Sequence, residues 1–66
     1  MLTRREQEVA ALLLEGCNRS EIAEKLIMSE NTVKVHVRNI LLKYKVRNTK
    51  YLILLHNEAA KDNPLG

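Results

Sequence analysis

Between residues 29 and 45 (SENTVKVHVRNILLKYK) apolar residues recur at the period of an α-helix and leave two faces of unlike chemistry. Val33, Val37, Ile40, Leu41 and Tyr44 fall on one stripe, suited to packing on a core. Asn31, Lys34, Val35, Arg38 and Leu42 fall on another, which carries amide and cationic groups outward. Ser29 stands just before the pattern as a good N-cap, so this helix is predicted to start near Glu30. Upstream, residues 20–26 (SEIAEKL) read as a short helix, separated from the long one by Ile27, Met28 and Ser29 alone. So tight a turn prevents an antiparallel pair and makes the two helices cross steeply, which is the helix-turn-helix arrangement with the second helix as reader.

The remaining pattern supplies two more helices. Thr3 followed by Glu6 is a capping box, so a first helix is predicted over residues 4–14, with Val9, Leu12 and Leu13 inward and Leu2 as a staple. Gly16 ends it, because glycine takes the left-handed conformation without steric cost. Asn18 with Glu21 repeats the box before the short helix, whose inward face is Ile22, Ala23 and Leu26; the small Ala23 permits a close crossing. After the reader helix, residues 45–47 make a turn anchored by Val46, and Asn48 or Thr49 caps a last helix to about residue 60. That segment is apolar on more than one side. Either Tyr51, Leu52 and Leu55 pack inward while Lys50, Ile53 and Leu54 point elsewhere, or the reverse. Some of it stays uncovered either way, as partner surfaces do. Pro64 and Gly66 rule out further helix, so the expectation is one domain over residues 1–60 and a flexible tail over 61–66.

With 66 residues the chain is near the lower limit of what folds without metals, disulfides or a partner. Its single cysteine, Cys17, excludes an internal disulfide, and Cys17, His36 and His56 lack zinc-ligand spacing. Neither a signal-peptide pattern nor a membrane span is read in it, which sets a cytoplasmic location as the expectation. Two glycines, one proline and no Phe or Trp fit an all-α chain. Charge is informative once divided along the chain. Residues 29–51 hold Lys34, Arg38, Lys43, Lys45, Arg47 and Lys50 against Glu30 alone, a net of +5, whereas the segments on either side are each −1. Such local concentration on the reader helix and the turn after it points to a polyanion partner.

The elements L-T-x-R-E at residues 2–6, E-I-A-x-x-L at residues 21–26 and S-x-x-T-V-K-x-H at residues 29–36 stand in order. Together they resemble the helix-turn-helix of the LuxR family, which includes effector domains of NarL/FixJ-type response regulators and free-standing four-helix regulators. The likeness covers residues 2–58. It implies a four-helix bundle whose third helix enters the major groove of bacterial DNA and whose fourth pairs with that of a second subunit. Lys34, Val35 and Arg38 resemble the groove-facing positions, with Asn31 used by some members. Thr32, Lys43 and Lys45 resemble backbone-contacting positions, and Tyr51, Leu52, Leu54 and Leu55 would form the dimer contact. The chemistry agrees: Lys or Arg donates to guanine, Asn pairs with adenine, and Val35 meets a thymine methyl. Val35 is the sharpest case, since an apolar side chain on a polar stripe lacks a solvent rationale. His36 belongs to the family pattern yet lies off that stripe and reads as a packing or hydrogen-bonding residue between helices, with a phosphate contact as the lesser alternative. Arg5 and Glu6 read as scaffold and cap. Many members have glycine where Lys45 stands and arginine where Thr49 stands; an N-terminal receiver or ligand-binding domain usually precedes the motif.

The leading expectation is sequence-specific binding of double-stranded DNA as a homodimer that regulates transcription, with RNA polymerase as a further partner. No cofactor, small-molecule ligand or membrane is called for. Two alternatives compete: a sigma-factor region-four-like domain, disfavoured by the fourth helix, and a helical dimerisation adaptor that ignores DNA. An enzyme is not expected, because no nucleophile and base pair, metal cluster or glycine-rich phosphate loop is present.

Overall fold

The computed structural model describes the backbone of residues 1–61 and the side chains of residues 1–57. Four helices follow one another, α1 (Arg4–Leu14), α2 (Arg19–Leu26), α3 (Glu30–Tyr44) and α4 (Thr49–Lys61), and no strand occurs among the described residues. The architecture is all-α, as the periodicity predicts. Lys61, expected in the tail, closes α4; the rest of that tail, 62–66, lies outside the described residues.

Each helix begins where a side chain can satisfy its free N–H groups. The backbone N–H of Glu6 donates to Thr3 Oγ1 while the Thr3 N–H donates to Glu6 Oε1, and Asn18 and Glu21 repeat the exchange at α2. Ser29 Oγ accepts from the Thr32 N–H at 3.1 Å, and Asn48 Oδ1 accepts from the Tyr51 N–H at 3.2 Å. Asn48, not Thr49, is therefore the cap of α4.

The first three helices end in one and the same closure, a Schellman motif with paired bonds back to the last turn. The N–H groups of Gly16 and Cys17 donate to Leu13 and Leu12, those of Ile27 and Met28 to Glu24 and Ala23, and those of Lys45 and Val46 to Leu42 and Leu41. The motif needs a left-handed residue at its centre. Gly16 meets that need freely at φ 94°, but Ile27 and Lys45 meet it with side chains, at φ 53° and 57°. A β-branched residue in this region is strained. Since Ile27 is also 91% exposed, it returns almost nothing in packing. Ile27→Gly is accordingly expected to stabilise the chain by about 1 kcal/mol, read as a raised thermal midpoint. An unchanged or lowered midpoint would contradict the strain.

α3 is the central element, packing chiefly on α1 and α2 and, at its C-terminal half, on α4. Val9 of α1, Ile22 of α2 and Val33 and Ile40 of α3 are wholly removed from solvent, joined by Ala10, Leu13, Ala23 and Leu52. Leu2, Leu12, Leu26, Val37, Leu41 and Val46 pack around this centre half-buried. Two expectations are corrected. Tyr44 was assigned to the inward stripe, yet on the last turn of α3 it only borders a pocket with Ala10, Leu14 and Leu52 and stays 45% exposed. Leu52 was assigned to a dimer contact, but at 5% exposure it is taken up by the chain's own core.

Candidate nucleic-acid interface

With Val33 and Ile40 turned inward, the opposite face of α3 is necessarily turned out. Asn31, Thr32, Lys34, Val35, Arg38 and Leu42 are all exposed, Val35 by 55% and Leu42 by 66%. The structure thus brings the four expected base readers, Asn31, Lys34, Val35 and Arg38, onto one continuous surface. Thr32 sits at the N-terminal end of that surface, its hydroxyl 2.9 Å from Ser29 Oγ. The three-residue turn of residues 27–29 and the Ser29 cap leave this first turn clear of other elements. His36, half-buried, lies off the stripe as expected.

The electrostatics of the surface follow from which cations already have partners. Among the described residues the ion pairs are Arg5 with Glu8 at 2.9 Å and Lys43 with Glu6 at 2.6 Å. Lys34, Arg38, Lys45 and Arg47 thus keep their charge uncompensated at short range. Arg5 also reaches the Leu26 carbonyl at the end of α2, at 3.4 Å, in keeping with a scaffold role.

Lys43 departs from expectation. Its ammonium donates to Glu6 Oε1 and, at 3.2 Å, to the Met1 carbonyl, on the α1 side of α3 and off the outward stripe. The physical reason is Glu6, whose carboxylate the capping box draws in to 4% exposure and which a nearby cation compensates. Sequence reading saw the cap but missed the cation, because a pair 37 positions apart leaves no local trace. The hydrogen bond from Lys43, then that from the Thr3 N–H, hold the Glu6 pKa below 4.5 although burial pulls the other way. A depressed folded-state pKa stabilises the fold above the unfolded value and loses that contribution as pH falls through the folded one. Glu6→Gln should therefore lower the urea midpoint at neutral pH, with the gap from wild type closing as pH drops below 4.5. A gap that stayed constant with pH would show that the carboxylate's charge is immaterial.

Arg47 was counted among the cations but given no role. It is exposed on the turn after α3 and lines a cleft together with Lys34, Arg38 and Leu42. The run KYKVRN was its only signal, since a turn has no period from which to read direction. On the far side of the same turn, Tyr51, Leu54 and Leu55 of α4 are 46–50% exposed and border a second groove with Lys45, Val46 and Arg47. Among the described residues no cluster of His, Cys, Asp or Glu is arranged to hold a metal ion. Among the described residues no helix is long and apolar enough to cross a membrane.

Residues 1–56 match the family described as bacterial regulatory proteins, luxR family. The transcriptional regulatory protein LnrK of Bacillus subtilis is 57% identical over 47 residues, covering 71% of this chain and 21% of that protein. The nitrate/nitrite response regulator protein NarP of Escherichia coli is 48% identical over 48 residues, covering 73% and 22%. The CsgBAC operon transcriptional regulatory protein of Escherichia coli is 40% identical over 58 residues, covering 88% and 27%. The chain thus spans about a quarter or less of the length of these relatives. A family match over residues 1–56, on a four-helix chain with these caps and this outward stripe, means that the chain belongs to the luxR family of bacterial regulatory proteins.

Proposed function

We propose that this chain binds double-stranded DNA in a sequence-dependent way to regulate transcription, with α3 lying in the major groove. The observation that carries the reading is the exposed stripe of Asn31, Lys34, Val35 and Arg38, free of acidic partners among the described residues and backed by a buried face. Arg38 and Lys34 donate to guanine O6 and N7, Asn31 pairs with an adenine edge, and Val35 packs on a thymine methyl. Thr32 and Lys45 hold the phosphates on either side and so fix register without reading sequence. What supports Lys45 in this role is that it is exposed and without an acidic partner among the described residues, at the residue that closes α3.

Two copies bind one pseudo-palindromic site through the uncovered part of α4, Tyr51, Leu54 and Leu55, so that each contributes one reader helix. The relatives whose names describe transcriptional and response regulators support the role in transcription. α4 continues for 13 residues beyond the turn, which favours this reading over a sigma-factor region.

The test is fluorescence anisotropy with a random-sequence duplex at rising salt. Log affinity is expected to fall linearly with log salt, and Lys45→Ala to reduce that slope by about 0.9, the loss of one phosphate contact. A chain that dimerised yet gave no salt-dependent binding would be a helical adaptor, and the reading would fall.

A further inference from the structure

Leu42 belongs neither to the core nor to the side chains assigned to base edges. It is 66% exposed and one turn beyond Arg38 on the same stripe. A leucine so placed is costly to hydrate unless something covers it on binding. Its surroundings say what that is. An open cleft of about 370 Å³ runs between the outward face of α3 and the turn that follows, with Leu41, Leu42 and Val46 as an apolar floor. Lys34, Arg38 and Arg47 stand round it, and none of the three has an acidic partner among the described residues. An apolar floor with a cationic rim matches a ligand that is itself half apolar and half anionic. The backbone of a nucleic acid has that composition, a sugar ring joined to a phosphate.

We propose that this cleft seats one deoxyribose–phosphate unit at the edge of the major groove, Leu42 and Val46 packing on the sugar and Arg47 donating to the phosphate. The proposal rests on the DNA-binding reading and adds a site to it. Base edges are read from α3 up to Arg38, while Leu42 and the turn grip one strand's backbone. Arg suits the task better than Lys, since its planar fork can hold two phosphate oxygens together. A sugar contact also accounts for an apolar side chain that base recognition leaves idle.

The experiment uses a duplex selected for binding from a random pool, with phosphates replaced one at a time by uncharged methylphosphonates. Arg47→Ala should lower the salt slope by about 0.9 on every sequence alike. Leu42→Asn should weaken binding several-fold with the slope unchanged, because it removes apolar contact and no charge. One methylphosphonate position should weaken the wild type and have no further effect on Arg47→Ala, the signature of a coupled pair. Both side chains are exposed, so thermal midpoints should hold. If Lys34 and Arg38 variants lose affinity while Arg47→Ala keeps its slope, or no phosphate couples to Arg47, the site is refuted and the DNA reading stands. If Leu42→Asn lowers affinity only by dissociating a dimer in sedimentation, a second copy covers the cleft and the proposal is equally refuted. If the wild type binds no duplex, the DNA reading itself fails.

Discussion

Replacing Lys34 and Arg38 together with alanine is expected to remove nearly all sequence preference and most of the affinity for DNA. A well-formed cation contact to a guanine edge discriminates by about 1–3 kcal/mol, so the pair accounts for up to about 6 kcal/mol, roughly four powers of ten in affinity. The two residues are one turn apart on α3 and share a surface, so their losses should not simply add. Arg38→Ala alone should cost more than Lys34→Ala, because a guanidinium spans O6 and N7 at once whereas an ammonium acts as a point charge. The folded state should scarcely notice either change, as both side chains are exposed and lack an acidic partner among the described residues. Anisotropy with a selected duplex and a scrambled one provides the check. Equal losses on both duplexes for Arg38→Ala would mark it as a phosphate contact, and unchanged affinity for the double variant would dismiss α3 as the reader.

The second large effect is on folding. Ile40→Ala should bring the chain close to the unfolded state at ordinary temperature. Ile40 is wholly buried where α3 meets its neighbours, and trimming such a side chain to alanine costs about 2–5 kcal/mol through lost burial and the cavity left behind. A domain of this size has only about 3–10 kcal/mol of stability in total. Leu42→Ala, two positions along the same helix but 66% exposed, is the matched control and should shift stability by less than about 0.5 kcal/mol. Thermal melts followed by circular dichroism decide the matter. Similar midpoints for the two variants would mean that α3 does not present Ile40 to the core as described.

Much of this architecture could be read from residue order because the signals are local. Thr3 with Glu6, Asn18 with Glu21, and Ser29 before an apolar stripe each announce a helix start within four positions, and the structure has all three starts. Two of the three C-terminal closures were not legible. Gly16 declares itself, whereas Ile27 and Lys45 occupy the same left-handed backbone with residues whose preferences argue against it, and only the surrounding packing imposes it. The outward stripe of α3 was legible since helical period alone separates its exposed residues from Val33 and Ile40. Lys43 was misplaced because its direction depends on Glu6, a residue of another helix. α4 was ambiguous for a related reason: an apolar run without a clear period leaves open which face α1 and α3 will cover, and the structure takes Leu52 while leaving Tyr51, Leu54 and Leu55 outside.

The strict separation of the two sides of α3 has a wider consequence. Val33 and Ile40 hold the scaffold upright while Asn31, Lys34, Val35 and Arg38 take no part in doing so. Mutations at those four positions can therefore accumulate without endangering the scaffold. If the proposed base contacts hold, gene duplication followed by drift at these sites would let copies of the same small framework diverge towards new operators.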